Sequence, residues 1–367
     1  MGKSMNTQQQ EQQRRDNYDP AANQVPNEPY YQQTPQNSRN IAMILIVVGL
    51  LWLAFELVGS KLGAANNLAE VFPSSSQAVV FDLGRGDLQI EVEERDDIVV
   101  SVTQSGFWGG NALLSEQDNG QLRISNALGF CLVRCSVSYQ VSMPAHTQLD
   151  VRTSSGEVML HGEFGPTRIA TSSGNIGVFN ITAPLEVSTS SGNVDLENID
   201  ANIVLQATSG DITLDTLRGD TVQISTTSGN IELDDLNANT VQLQSSSGDM
   251  SFAGSTAQLN AKSTSGNIEI DNDRAGQLTL QSTSGNIAYE GDLIGDNSIE
   301  STSGNVELEL SNPQDLSVSV STRSGSINNS LPLDAIKDTD SELHGAIGVG
   351  LHTLTIKTTS GDIDLGE

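Results

Sequence analysis

From about residue 149 onward, apolar and polar positions alternate in short runs, and the runs recur. A Ser-Gly pair marks each recurrence, with its Gly at 156, 174, 192, 210, 229, 248, 266, 285, 304, 325 and 361. Successive spacings are 18, 18, 18, 19, 19, 18, 19, 19, 21 and 36 residues. The last gap reads as two periods, with Gly345-Ala346-Ile347-Gly348-Val349 inside it as a degenerate copy. Two residues after each Gly stands an apolar residue, from Val158 and Ile176 through Ile231 to Ile363. Four after stand Leu160, Val178, Leu196 and their counterparts, with Asn329 the one polar break. Polar residues such as Asp195, Glu232 and Glu269 lie between. Strict alternation of this kind predicts a half-buried strand.

A second strand precedes each Gly. Five residues back stand Val151, Ile169, Val187 and Leu205, and three back nearly every residue is Ser or Thr. The pattern L-x-L-x-[ST]-[ST]-S-G-[ND]-I-x-L describes two strands around a tight corner, where Gly supplies a backbone conformation other residues resist. One such rung cannot bury its own apolar row, so rungs must stack. The predicted fold is all-β: a parallel β-solenoid (β-helix) with 18–19-residue rungs, each strand pairing with its counterpart one repeat away. Parallel crossovers favour a right-handed coil. Each rung has two main faces and a shorter third. Twelve rungs at roughly 4.8 Å give a rod about 55 Å long. Alternation places the columns one and three before Gly inward, and the column two before Gly, from Ser154 to Ser246, outward.

The repeats occupy residues 149–367. Residues 77–148 are less regular. Val79-x-Phe81-x-Leu83 followed by Gly86-Asp87-Leu88 fits the rung template once. The segment reads as an N-terminal β cap. The chain stops two residues after Leu365 with no evident cap, so the last rung is expected to present a bare sheet edge.

Ahead of this lie three other segments. Residues 1–40 are Gln-rich, with Pro20, Pro26, Pro29 and Pro35, and read as a disordered cytoplasmic tail. Residues 41–58 (IAMILIVVGLLWLAFELV) carry one charge, Glu56, and are just long enough for a transmembrane helix. About 40 residues precede them, which favours an uncleaved signal anchor over a cleaved signal peptide. Residues 59–76 read as a linker. Arg14, Arg15 and Lys3 tip the orientation towards an inside tail. The expected address is a single-pass cell-membrane protein with its C-terminal domain outside the cytoplasm.

Charge narrows the function. The chain has 367 residues, 17 Lys+Arg and 46 Asp+Glu, for a net charge of −29. The part after Lys61 carries all of it, 12 − 41 = −29. That balance excludes a general nucleic-acid binder, which needs a cationic footprint. Two cysteines exclude a disulfide framework and a four-cysteine zinc site.

Tyr139-Gln-Val141-Ser-Met143-Pro144 leading into Leu149-Asp-Val151-Arg-Thr153-Ser-Ser155-Gly156, and the closing Leu354-Thr-Ile356-Lys-Thr-Thr-Ser360-Gly361-Asp362-Ile363, resemble the bacterial putative-adhesin family of domains of unknown function. The resemblance covers residues 77–367. It implies a β-solenoid, often tethered to the membrane at the cell surface and sometimes linked to envelope stress. It brings no catalytic residues.

Candidate chemistry is sparse. The residue after the corner Gly is mostly Asn, but Asp at 211, 249 and 362. Asp211, Asp249 and Asp362 could belong to a calcium ladder, since calcium takes oxygen ligands. The preferred reading is a metal-free Asn/Asp stack, because stacked carboxylates repel. The Ser/Thr columns could form an ice- or glycan-binding array, with corner packing the simpler reading. Two Arg-Gly-Asp tripeptides, at 85–87 and 218–220, resemble an integrin-binding motif but fit turn chemistry. Cys131 and Cys135 would sit about 13 Å apart in a continuous strand, too far to bond. Gly129 permits a turn that would bring them together, and an oxidising exterior favours a disulfide. His146, His161, His344 and His352 are scattered, no nucleophile–base pair is evident, and neither an enzyme nor a cofactor is expected.

The leading expectation is a non-enzymatic, membrane-anchored surface solenoid acting as an adhesin-like or structural scaffold. Its partners would be the membrane, through the single helix, and a cell-wall or surface glycan or itself. The alternatives are a self-assembling, bactofilin-like filament protein and an envelope-stress sensor signalling through the tail.

Overall fold

Each repeat folds as one rung around its glycine. In the Gly192 rung, Leu185–Ser191 runs into the corner and Val194–Asp200 runs out of it. Leu185, Val187, Val194 and Leu196 point inward and are buried, while Glu186 and Asp195 point out. Each strand pairs in parallel with the equivalent strand of the rung on either side, residue for residue. The corner glycines have φ between 113° and 155°, a region L side chains rarely enter. They also stack closely: a Cβ on Gly192 would lie 2.1 Å from the Gly174 carbonyl oxygen. Both constraints exclude every other residue, which is why the Gly recurs without exception.

The computed structural model describes residues 66–73, 77–106, 108–131 and 135–367. The expected tail (1–40) and membrane span (41–58) lie outside the described residues. Among the described residues every regular element is a strand, and no helix is long and apolar enough to cross a membrane. The expected all-β, parallel-stacked architecture is what the described chain adopts.

Rungs of 18 and 19 residues stack because the chain away from the Gly corner absorbs the difference: between the Gly192 and Gly210 rungs it falls between Asp200 and Ile203, and further along it falls at or just after a second bend six residues after the Gly. The register offset between Ile231–Ser247 and its neighbour slips between Leu233 and Leu236. The next two interfaces slip at Gly254/Thr256 and Asn272/Arg274. No slip occurs at a Gly corner in these interfaces. This bend holds Asn180, Asn198, Thr216 and Asp235, all at positive φ, and Gly162, Gly254 and Gly291 at the same position in other rungs.

The order of the stack departs from the order of the chain at both ends. The Gly86 rung (Ala78–Leu83 and Asp87–Val92) does not start the rod. It lies between the Gly156 rung and a rung made by Gln121–Cys131 and Ser136–Met143. In that outer rung no glycine fills the corner; the side chains of Val137 and Tyr139 lie beside Gly86 instead. Beyond it, Asp97–Ser105 pairs antiparallel with Ser136–Met143 and Trp108–Asp118 with Gln121–Cys131, and Asn66–Pro73 pairs antiparallel with Asp97–Ser105 as the edge strand. Part of the expected linker is therefore a strand, and the expected cap contains two complete rungs. Pairing is open to Asn66–Pro73 because the edge of Asp97–Ser105 would otherwise be bare.

At the other end the expected bare edge does not lie on the rung of Leu365; the strands paired on one side only are Ile327–Asn329 and Asp334–Thr339. The final rung, His352–Ser360 and Ile363–Gly366, is inserted between the Gly304 rung and the Gly325 rung. The Gly325 rung is the last in space. Its strand Leu316–Ser324 is covered by an antiparallel hairpin, Glu342–Ile347 and Asp334–Thr339. The segment around Gly345–Val349 is thus the capping strand and its turn, not a degenerate corner. The 36-residue gap is a hairpin excursion and a return into the stack. Leu331, buried, closes the core where Asn329 breaks the apolar column.

One column also faces the other way from expectation. The Ser/Thr three before Gly is buried, as in Thr153, Thr189, Ser245 and Ser263, but the Ser one before Gly is not. Thr153, Thr171, Thr189 and Thr226 each donate from Oγ1 to the carbonyl two residues on, at 3.1–3.3 Å. That local bond turns the chain before the Gly and ends the strict alternation.

Candidate functional site

The residue after each corner Gly forms a hydrogen-bonded ladder along the rod. Asn175 Oδ1 accepts from the backbone N–H of Asn193, and Asn193 Oδ1 from Asp211, both at 3.1 Å. The chain of bonds continues through Asn230, Asp249, Asn267, Asn286 and Asn305 to Asp362, at 2.7–3.0 Å. Asp362 Oδ1 then accepts both the N–H and the hydroxyl of Ser326, at 2.7 and 2.9 Å. These two bonds hold the Asp362 carboxyl below its usual range. Each ladder oxygen thus satisfies an amide that the Gly corner leaves outside the strand pairing. The three candidate calcium residues are not drawn together: Asn230 stands between Asp211 and Asp249, and Asn305 precedes Asp362. Among the described residues no group of three or more His, Cys, Asp or Glu could hold a metal ion.

The other sequence candidates also serve the scaffold. Cys131 and Cys135 are joined by a disulfide, with Cα atoms 6.0 Å apart. Asp87 of the first Arg-Gly-Asp accepts from Glu157 N–H at 3.0 Å, and the Arg85 carbonyl accepts from Asn126. In the second, Arg218 pairs with Asp235 at 3.4 Å, and Asp220 N–H donates to Asn202. His352 Nδ1 accepts from Gly295 N–H at 2.9 Å, and His161 stacks on Phe179 with ring centres 4.5 Å apart. Burial raises the Tyr139 hydroxyl above its ordinary range, against the opposing bond from Asn126. Burial, then the charges of Asp292 and Asp271, does the same to Tyr289, so its hydroxyl stays a donor, to the Asp292 carbonyl at 2.8 Å.

What remains free is the outward surface, and it is divided by charge. On the strand face after the corner, the outward columns lie three and five residues beyond Gly. Glu197, Asp215 and Asp234 follow one another on adjacent strands, as do Asp271, Glu290 and Glu309. No Lys or Arg occupies either column. On the face before the corner, the outward columns lie two, four and six residues ahead of Gly. From the Gly210 rung to the Gly325 rung these columns are Ser, Thr, Gln and Asn, with Val204, three cations and one carboxylate, Glu300. Two adjoining concavities run along this face. One, of about 320 Å³, is lined by Gln206, Gln223, Gln242, Gln244, Asn260 and Lys262 among others. The other, of about 630 Å³, carries Lys262, Gln281, Glu300, Arg323 and Lys357. The sequence columns contain this division, but reading them only for apolar residues passes over it.

These features define a class: a short-period β-solenoid whose repeated corner chemistry is structural and whose outer faces differ from rung to rung. The chain belongs to the Toastrack DUF4097 family, whose model matches residues 85–220 and 201–366. Among solved structures, it is similar to a putative adhesin from Parabacteroides distasonis, at 20% identity over 67% of this chain and 98% of that one, with a TM-score of 0.39. It is also similar to a putative lipid binding protein from the same organism, at 14% identity over 83% and 98%, with a TM-score of 0.32. A putative adhesin from Bacteroides fragilis matches at 10% identity over 82% and 97%, with a TM-score of 0.25. No curated protein matches the chain.

Proposed function

We propose that this protein is a non-enzymatic, membrane-anchored rod of a bacterial envelope, held by residues 41–58, with its solenoid outside the cytoplasm. Its strand face before the corner, mostly amide and hydroxyl, is the adhesin-like binding surface. The observation that carries the reading is the division of charge between the two strand faces: one carries most of the outward carboxylates from the Gly192 rung to the Gly304 rung, and the other offers mainly amides and hydroxyls in register. The corner polar groups are engaged between rungs, so they leave recognition to the faces. The Gln/Pro-rich tail is then a cytoplasmic tether.

The test is protease shaving of intact cells carrying the full chain with tags at both termini. The C-terminal tag should be lost from intact cells while the N-terminal tag is kept. Loss of the C-terminal tag only after permeabilisation would overturn the topology. A second arm asks whether the full chain in detergent micelles is retained on insoluble envelope material. Free passage would remove the adhesin-like role and leave a spacer.

A further inference from the structure

Most cations of this acidic rod are already used. Arg95 pairs with Glu93 and Asp97, Arg123 with Asp82, Arg152 with Asp150, Arg168 with Glu186, Arg218 with Asp235 and Lys337 with Glu342. Lys262, Arg323 and Lys357 form no ion pair among the described residues. All three line the same concavity, and all three are exposed. Lys262 and Lys357 occupy one outward column three rungs apart, roughly 14 Å at the spacing of paired strands. Arg323 stands one rung further, in the column beside it. Gln281 and Glu300 lie between, Glu300 on the strand beside Lys357, so the trough keeps a net positive charge of two; Gln244 and Asn260 extend the same surface into the adjoining concavity.

We propose that this trough binds an acidic polysaccharide of the uronic-acid type, lying along the rod axis. Three arguments select that class. The cations are spaced along the axis rather than gathered, which suits an extended polyanion and not a compact anion. Apart from the Glu300 carboxylate, the lining between them is amide and hydroxyl, which exchange hydrogen bonds with sugar hydroxyls as both donor and acceptor. A hexose in an extended glycan advances by about one rung, so successive sugars meet equivalent side chains. No aromatic side chain lines either concavity, so binding rests on polar and charged contacts and weakens with salt. The acidic opposite face prevents such a polymer from wrapping the rod and confines it to this side. The proposal rests on the adhesin-like reading above and names its ligand and its site.

The experiment uses the full chain in micelles, with EDTA present, and polygalacturonate as probe. The control ligands are the fully methyl-esterified polymer and polyglutamate. The variant is Lys262→Gln/Arg323→Gln/Lys357→Gln, whose exposed positions leave the fold intact by thermal melt. Polygalacturonate should bind, the esterified chain should not, and the triple variant should bind about tenfold more weakly, as three exposed charge contacts allow. A Gln244→Ala/Gln281→Ala variant should also weaken binding to polygalacturonate. Equal binding by wild type and triple variant overturns the site. Polyglutamate bound as tightly as polygalacturonate overturns the glycan. Self-association that the triple variant abolishes would make a second copy the occupant and overturn the proposal. Retention of the triple variant on envelope material would leave the adhesin-like reading standing while the site falls.

Discussion

Ile356 lies eleven residues from Glu367, yet it should behave as a central core residue. It is fully buried, with Ile299 on one neighbouring strand and Val320 on the other. Leu354, Ile363 and Leu365 of the same inserted rung are buried as well. Truncating a buried Ile to Ala removes its transfer energy and leaves a cavity that packed rungs on both sides cannot close, at about 2–5 kcal/mol. That is a large part of a typical total stability of roughly 5–15 kcal/mol. The comparison variants are Ile231→Ala, deep in the stack with Ile212 and Met250 beside it, and Ile327→Ala in the spatially last rung, half-buried with only Ile363 as strand partner. Urea unfolding should give Ile356→Ala within about 1 kcal/mol of Ile231→Ala, with Ile327→Ala costing less than both. Amide exchange at Ile363 should accelerate in Ile356→Ala, since end rungs of a solenoid open before the middle. A loss for Ile356→Ala no greater than for Ile327→Ala would refute the inserted rung and restore a frayed C-terminal end.

Other outcomes follow from the ladder and the buried hydroxyls. Asn230→Asp keeps the acceptor but sets a carboxylate between Asp211 and Asp249; its melting temperature should fall at low salt and recover in high salt, and a salt-independent loss would contradict this. Ser263 is buried with no partner for its hydroxyl, so Ser263→Ala should be neutral or slightly stabilising, whereas Thr226→Ala, which loses a methyl group and the bond to the Ser228 carbonyl, should cost about 1–2 kcal/mol in thermal melts. Asp362 titrates below the ordinary carboxylate range in the folded chain, so its contribution is complete above that range and is lost as pH falls through the lowered value. Amide exchange at Ser326 should therefore accelerate on acidification, and Asp362→Asn should remove most of that dependence.

The rung was legible in the sequence because its physics is local. Alternation of Ile176 and Val178 with polar neighbours fixes a face, and Gly174 fixes a corner no side chain can occupy. The order of the rungs was not legible, because the period says which residues face in but not which rung lies beside which. Any rung's Ile/Val/Leu columns fit any other's, so connection lengths decide. The signals were the irregular spacings of 21 and 36 residues and the polar Asn329, which marks where the core ends. The inversion of the Ser column before Gly was hidden for another reason: a Thr hydroxyl bonding two residues ahead breaks the alternation that the prediction assumed. The second bend was visible in principle, since Asn180, Asn198, Asp235 and Gly254 are residues that tolerate positive φ. It repeats without a fixed residue and so escapes a search for identity.

The same separation explains why architecture was easier to read than function. A corner must satisfy its orphan amides within the rod, so the Oδ1 atoms of Asn193, Asn230 and Asn286 are committed to the next rung. Inward columns must be apolar or small. Only the outward columns are unconstrained by the stack, and there one substitution changes the surface without touching the fold. Glu232 and Gln242 occupy equally outward positions on the two faces, both within Ile231–Ser247. Either could be exchanged for the other at little cost in stability. That from the Gly210 rung to the Gly325 rung every outward carboxylate of the two strand faces but Glu300 keeps to one face, and Lys262, Arg323 and Lys357 to the other, is therefore not a requirement of folding. A rod needing charge only for solubility would spread it over both faces; confining it leaves one face able to approach an anionic partner, which is the side on which the trough lies.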